Sequence, residues 1–244
     1  MPANSDFQQA IQAAQRSALV GPNVLQKALP VVGGGMVLTA AGVMGGLALM
    51  ATQPSLFMPL FFVALISNFI LFFVAQNAAL KANNSTALPL LTTYSLLTGF
   101  TLSGIVSVAI GTAGIGAIGT AALATGITFI AASFFGRRMS DDVGQALSGV
   151  VGLGIMGLLL AMVVQIVGSI FFPGFGGGSL QLMIAGFGTV IFTGAAFVDF
   201  YTMPRTYRDD QYLAGALGMY LTYVNLFIFI LQLIIALNGG GRRE

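Results

Sequence analysis

Seven apolar stretches, each long enough to cross a bilayer, divide this chain and restrict it to one kind of fold. A helix spanning ~30 Å of hydrocarbon needs about 20 mainly apolar residues. Stretches meeting that requirement run over roughly 29–50, 56–77, 87–110, 113–135, 145–172, 180–202 and 212–237. Short, breaker-rich links separate most of them: Thr52–Ser55, Lys81–Thr86, Gly136–Asp142, Pro173–Ser179 and Pro204–Asp210. Only the Gly111–Gly116 region parts the third stretch from the fourth. Lipid offers the backbone no hydrogen-bond partners, so single stretches of this length cross it as helices. The expected fold is an all-α polytopic membrane protein with seven transmembrane helices.

Charge content supports this reading. Only 7% of residues are charged, against about 25% in a soluble domain, too few to cover a soluble surface. Cysteine is absent, which excludes disulfides and thiolate metal sites. The net charge of +2 is scattered over short links, so nucleic acid is not an expected partner. The chain divides into a polar N-terminal segment, 1–28, a membrane domain, 29–237, and a short polar tail, 238–244. The first segment lacks the basic start and apolar core of a signal peptide. Phe7, Ile11, Ala14 and Ala18 recur at the spacing of a short cytoplasmic or interfacial helix.

Basic residues in short loops remain on the cytoplasmic side. With the N-terminus inside, Arg16, Lys27, Lys81, Arg137, Arg138, Arg205 and Arg208 are all cytoplasmic, and only Arg242 and Arg243 fall outside. The C-terminus is therefore expected outside, although a re-entrant last span would bring every basic residue in. The expected location is a bacterial inner (plasma) membrane; an organelle membrane would read the same way.

Small residues at four-residue spacing, Gly42/Gly46 and Gly99/Ser103/Ser107/Gly111, point to closely packed helices. The last span carries Gln211, Gly215, Gly218, Thr222, Asn225, Phe229 and Gln232 on one face. A stripe that polar belongs inside a bundle, with Thr222, Asn225 and Gln232 bonded to neighbours. In the sixth span Ala185, Gly188, Phe192, Ala195, Ala196 and Asp199 share a mostly small face. The short link between these spans makes them antiparallel neighbours.

Asp199 is the one carboxylate within a long apolar run. A charge at membrane depth costs about 2.5–3.5 kcal/mol on insertion scales, which marks it as a functional candidate. It lies five residues before Pro204, so it belongs near the cytoplasmic end of its helix. Two readings stay open: a boundary carboxylate, wetted or paired with Arg205 or Arg208, or a desolvated group at the inner end of a cavity that gates or binds a cation.

The segments Phe192-Thr-Gly-Ala-Ala-Phe-Val-Asp-Phe-Tyr-Thr202 and Gly215-Ala-Leu-Gly-Met-Tyr-Leu-Thr-Tyr-Val-Asn-Leu-Phe227 resemble the C-terminal signature of the Bax-inhibitor family. Tyr94–Gly104 is similar to that family's third helix, and Arg137–Asp141 to its link before the fifth. The resemblance implies seven helices with the last one central, wrapped by the others. It also implies a pH-sensitive calcium leak and, in bacteria, association with a membrane protease in some members. The family's pH sensor is a pair of aspartates on the last two helices. Asp199 matches the first, and the second falls on Thr222. The family's Arg on the second helix has no counterpart, since no Lys or Arg lies between Lys27 and Lys81. By this resemblance the pH-sensing or ion-binding residues are Asp199, Thr222 and Asn225. No cofactor is expected beyond a calcium ion, held weakly at Asp199 because one carboxylate neutralises less of its charge than two.

Other chemistries lack their residues. A retinal Schiff base needs a Lys in the last span, and none follows Lys81. The chain has no His for a Ser–His protease, and its spans hold one Asp where an aspartyl protease needs two. Catalytic zinc lacks both His and Cys. Enzyme activity is not expected. The competing reading is a non-transporting adaptor that regulates a partner such as a membrane protease. A proton-coupled solute transporter is a third, without an inverted repeat to support it. The expected surroundings are the lipid bilayer, with calcium or another cation and a membrane protein as candidate partners.

Overall fold

The computed structural model describes residues 19–172 and 178–239. Its seven helices are α1 (Val24–Thr52), α2 (Pro54–Leu80), α3 (Asn84–Ala113), α4 (Gly116–Phe135), α5 (Asp141–Phe171), α6 (Gly178–Thr206) and α7 (Tyr212–Gly239). A single 3-10 turn, Gly136–Arg138, follows α4. All seven helices are long and apolar enough to cross a membrane, and no strand occurs among the described residues.

Local chemistry sets the ends. Only Gln53 separates α1 from α2, where Pro54 supplies the first helical residue, a position at which its missing N–H is no loss. Asn83 caps α3, its side-chain oxygen accepting from the Thr86 amide at 3.4 Å. Between α3 and α4 the backbone reverses at Gly114, whose φ of +80° few residues but glycine adopt. This resolves the boundary that the sequence leaves least marked.

Several helices exceed their apolar stretches: α1 begins at Val24 and α6 runs through Pro204 to Thr206, whereas α4 starts later than its stretch, at Gly116. The last residues of the polar N-terminal segment thus belong to the first span. Pro204 is tolerated because it sits in the final turn. The helix expected around Phe7, Ile11, Ala14 and Ala18 lies outside the described residues, as do Arg16, Arg242 and Arg243.

The tightest crossing joins α1 to α3. A β-carbon at Gly42 would collide with the Leu96 carbonyl oxygen, and one at Gly99 with that of Thr39. At Gly46 it would strike Ser103. These are the small residues singled out by their spacing, and they bring two backbones together without side chains between them. Gly111, on the same sequence stripe, faces open space.

Helix α7 packs against α1, α2, α3, α4 and α6, whereas α5 packs chiefly on α6. Five consecutive α7 residues, Leu213 to Leu217, are buried, so its first turns are covered on every side and not only along the polar stripe. The inward face of α6 is as expected: Ala185, Gly188, Phe192, Ala195 and Ala196 are buried. Phe192 stacks on Phe229 of α7 with ring centroids 5.4 Å apart.

The α1–α3 crossing yields a direct test. Gly99→Ala is expected to cost about 1–3 kcal/mol, because rigid backbone cannot yield to the added methyl. Gly45→Ala, with nothing within 4 Å of the new atom, is expected to be neutral or slightly stabilising. Denaturant unfolding in detergent, run on both variants, checks the contrast.

Candidate functional site

One end of the bundle gathers the described basic side chains and most of the inter-helix hydrogen bonds. Three segments meet there: residues 20–27, the α2–α3 link and the α6–α7 link. The amides of Val20 and Gly21 both donate to the Pro204 carbonyl, at 2.8 and 3.0 Å. Asn23 grips the Asp209 carboxylate twice, through its own amide at 2.9 Å and its side-chain Nδ2 at 3.0 Å. Lys27 Nζ donates to the Asp209 carbonyl at 3.2 Å. Gln211 Nε2 donates to the Leu80 carbonyl, and Asn84 Nδ2 to that of Asp210. A β-carbon at Gly21 would press into the Tyr207 carbonyl. The α6–α7 turn is thereby tied down from two directions.

Asp199 lies just beneath this cap, on α6. The residue as a whole is half-buried, but its Oδ2 is shut off from the surface and has no hydrogen-bond partner. Across from it on α7 stands Thr222, and Tyr207 on the link lies close enough to couple electrostatically. The Thr222 hydroxyl donates back to the Gly218 carbonyl at 3.4 Å, an ordinary helical arrangement for a buried threonine. Tyr207 also faces Gln76 of α2, whose Oε1 is likewise buried without a partner. Buried polar atoms left unpaired are uncommon and call for an explanation. Here two such atoms flank one tyrosine.

The arginines go elsewhere. Arg205 Nε reaches Asp141 of α5 at 3.2 Å, its guanidinium lying over the Tyr201 ring. Arg208 pairs with Asp210. Pairing of Asp199 with Arg205 or Arg208 is therefore corrected. The reason is helical geometry: six residues at 100° each carry Arg205 about 120° around the helix from Asp199. Arg208 lies beyond the helix end. Asn225 and Gln232, expected to be bonded, are half-buried and make no side-chain hydrogen bond among the described residues. Asn225 is one turn along from Thr222 on the same face.

Two groups at the cap, Asp210 and Tyr207, keep their charge state near neutrality. The hydrogen bond from Arg208 holds Asp210 below the usual carboxylate range. Its contribution is present above the unfolded-state value and is lost only as pH falls through the lower folded one. Burial pushes the Tyr207 phenol up, so it stays neutral. Neither group changes charge between about pH 6 and 8.

A second polar cluster, which the sequence reading missed, sits on another side of α7. The Tyr220 hydroxyl meets Thr39 Oγ1 of α1 at 2.6 Å. Thr39 also lies within hydrogen-bond distance of the Gly35 and Ser95 carbonyls, at 2.8 and 3.2 Å. Beside it Asn68 of α2, oriented to satisfy its amide, donates to the Tyr94 carbonyl and accepts from Thr98, all within 3.2 Å. Tyr94 meets Tyr220 edge to face at 5.8 Å. Asn68 and Gln76, amides within an otherwise phenylalanine- and leucine-rich span, were the signal available in the sequence.

No group of three or more acidic or histidine side chains converges among the described residues. Calcium takes six to eight oxygen ligands. Asp199 offers one carboxylate beside a hydroxyl, far short of that shell.

Comparison with known proteins extends the picture. The sequence model of a family described as Inhibitor of apoptosis-promoting Bax1 matches residues 21–239. An uncharacterized membrane protein of Streptococcus pyogenes serotype M1 is 29% identical over 194 residues, covering 77% of each chain. An uncharacterized protein of Helicobacter pylori is 28% identical over 195 residues, covering 78% of this chain and 81% of its own. Bax inhibitor 1 of Schizosaccharomyces pombe is 34% identical over 61 residues, 25% of this chain and 23% of its own.

Because Arg205 and Asp141 remain 21% and 33% exposed, their pairing is a modest contributor. Arg205→Gln is expected to lower the unfolding free energy by no more than about 1 kcal/mol. It should also leave the titration of Asp199 unmoved. Denaturant unfolding and a carboxyl-stretch infrared titration of the variant test the two halves of that statement.

Proposed function

The chain belongs to the Bax-inhibitor family, and on that premise we propose that it is a membrane cation leak gated by protonation of Asp199. One observation supports this most: a carboxyl enclosed between the last two helices, with neither a hydrogen bond to Oδ2 nor a counter-cation among the described residues. Ionised in that packing, it would carry a charge in low dielectric with no cation beside it among the described residues, eased only by the Thr222 hydroxyl. Water or a cation drawn to the site relieves the penalty, and admission of either requires the α6–α7 contact to loosen. The neutral acid suits the closed packing.

Calcium is the ion that the family resemblance suggests. Thr222 opposite Asp199 leaves one titrating group where a pair would share a proton, so a simple, single-site pH response is expected. The cap fastened by Asn23, Lys27 and Gln211 is the inner closure, and we place it in the cytoplasm because it holds the basic side chains. The C-terminal end of α7 is then outside, in what is a plasma membrane if the source is bacterial.

Cation flux from liposomes, wild type beside Asp199→Asn, is the test. Flux in the wild type, followed across about pH 6–8, should rise as Asp199 ionises, a range in which neither Asp210 nor Tyr207 changes charge. The Asp199→Asn protein should show low, pH-independent flux. Identical pH profiles would remove Asp199 from gating. A wild type with no flux under any condition would leave the adaptor reading in its place. Thr222→Asp, adding a second carboxylate, should tighten divalent binding at the site.

A further inference from the structure

A cavity of about 360 Å³ opens into the bundle between α1, α3, α4 and α7, away from Asp199. Chain direction fixes its depth. On α1 and α3 it is lined from near the middle onward, by Met36 to Leu47 and by Leu102 to Ile110. On α4 it is lined by the opening turns, and on α7 by its centre, Tyr223 to Phe227. It therefore runs from mid-membrane toward the end that bears the α3–α4 turn, opposite the charged cap. Helices α1 and α4 barely meet, leaving a slot between them floored by α3 and α7. At its mouth Met44 and Ile115 are 71% and 77% exposed, among side chains that face hydrocarbon.

The lining decides what can enter. Thr39 is engaged with Gly35 and Tyr220, and Tyr223 is the other polar side chain on the wall. Ordered water needs two to four polar partners, and an apolar cavity without them stays dry and accepts apolar guests. The slot is continuous with the lipid boundary at Met44 and Ile115, and its lining follows α1 for two turns or more. We propose that it is a binding site for one acyl chain of a membrane lipid. The lipid belongs to the leaflet at the α3–α4 turn, and its tail ends against Tyr223 and Thr39 at mid-membrane. A chain so placed supports α1 where the bundle lacks a helix-to-helix contact.

The natural absence of tryptophan provides a clean reporter. Ala122→Trp places the only indole on the cavity wall, and Leu153→Trp places one on the outer face of α5, 73% exposed. Both are reconstituted in phosphatidylcholine brominated along its acyl chains, alone and with Ala40→Phe added to fill the slot. The Ala122→Trp fluorescence should be quenched by the brominated chains and should lose most of that quenching when Ala40→Phe is present. The Leu153→Trp control should be quenched equally in both backgrounds. Absence of quenching at Ala122→Trp, or quenching that Ala40→Phe leaves unchanged, overturns the site. Val43→Phe substitutes if Ala40→Phe fails to insert. The readout is independent of ion flux and of the role given to Asp199.

Discussion

A bilayer interior offers no partner to a polar atom, so a membrane bundle must satisfy each one from its own side chains and backbone. Most of this protein obeys that constraint closely. The buried serines and threonines bond back to helix carbonyls, Thr39 and Tyr220 bond to each other, and Asn68 is held by Tyr94 and Thr98. Against that background three buried oxygens are unmatched among the described residues: Asn84 Oδ1 at the cap, and Asp199 Oδ2 and Gln76 Oε1 on either side of Tyr207. An exception of this kind at the junction of three helices is where a second conformation would gain the most. The proposed gating depends on that imbalance.

Helix α7 connects the two polar regions. Thr222 turns toward Asp199 on α6, while Tyr220, two residues earlier and about 200° around the helix, turns toward Thr39 and Tyr94. Any rotation of α7 that opens one contact bears on the other. Its first turns are enclosed on all sides, and the link that leads into it is pinned by Asn23, Lys27, Asn84 and Gln211. Movement is therefore easier at the middle of α7 than at its capped start.

The spans, their number and their order were legible in the sequence because lipid enforces length and polarity so strictly. Asp199 stood out for the same reason, as did the glycine spacing at the α1–α3 crossing, where backbone contact admits no side chain. What stayed hidden depends on direction around a helix and on partners far apart in the chain. Spacing alone could not send Arg205 to Asp141, sixty-four residues away, nor pair Asn23 with Asp209. Tyr220 and Thr39 are unremarkable in composition, and their bond exists only once α1 and α7 are packed. On the polar stripe of α7 Gly215, Thr222 and Phe229 are buried but Gln211, Gly218, Asn225 and Gln232 only half so, while apolar residues on its other sides, Tyr220 and Leu231 among them, are fully covered.

The central claim is that the Asp199 carboxyl lies dry within the bundle and takes up its proton there. Infrared difference spectroscopy across a pH titration, wild type against Asp199→Asn, reads this directly. A protonated-carboxyl C=O stretch that titrates reversibly, exchanges slowly in heavy water and vanishes in Asp199→Asn is the predicted result. Spectra indistinguishable between the two proteins at every pH, or a band that exchanges as freely as a surface carboxyl, would contradict it.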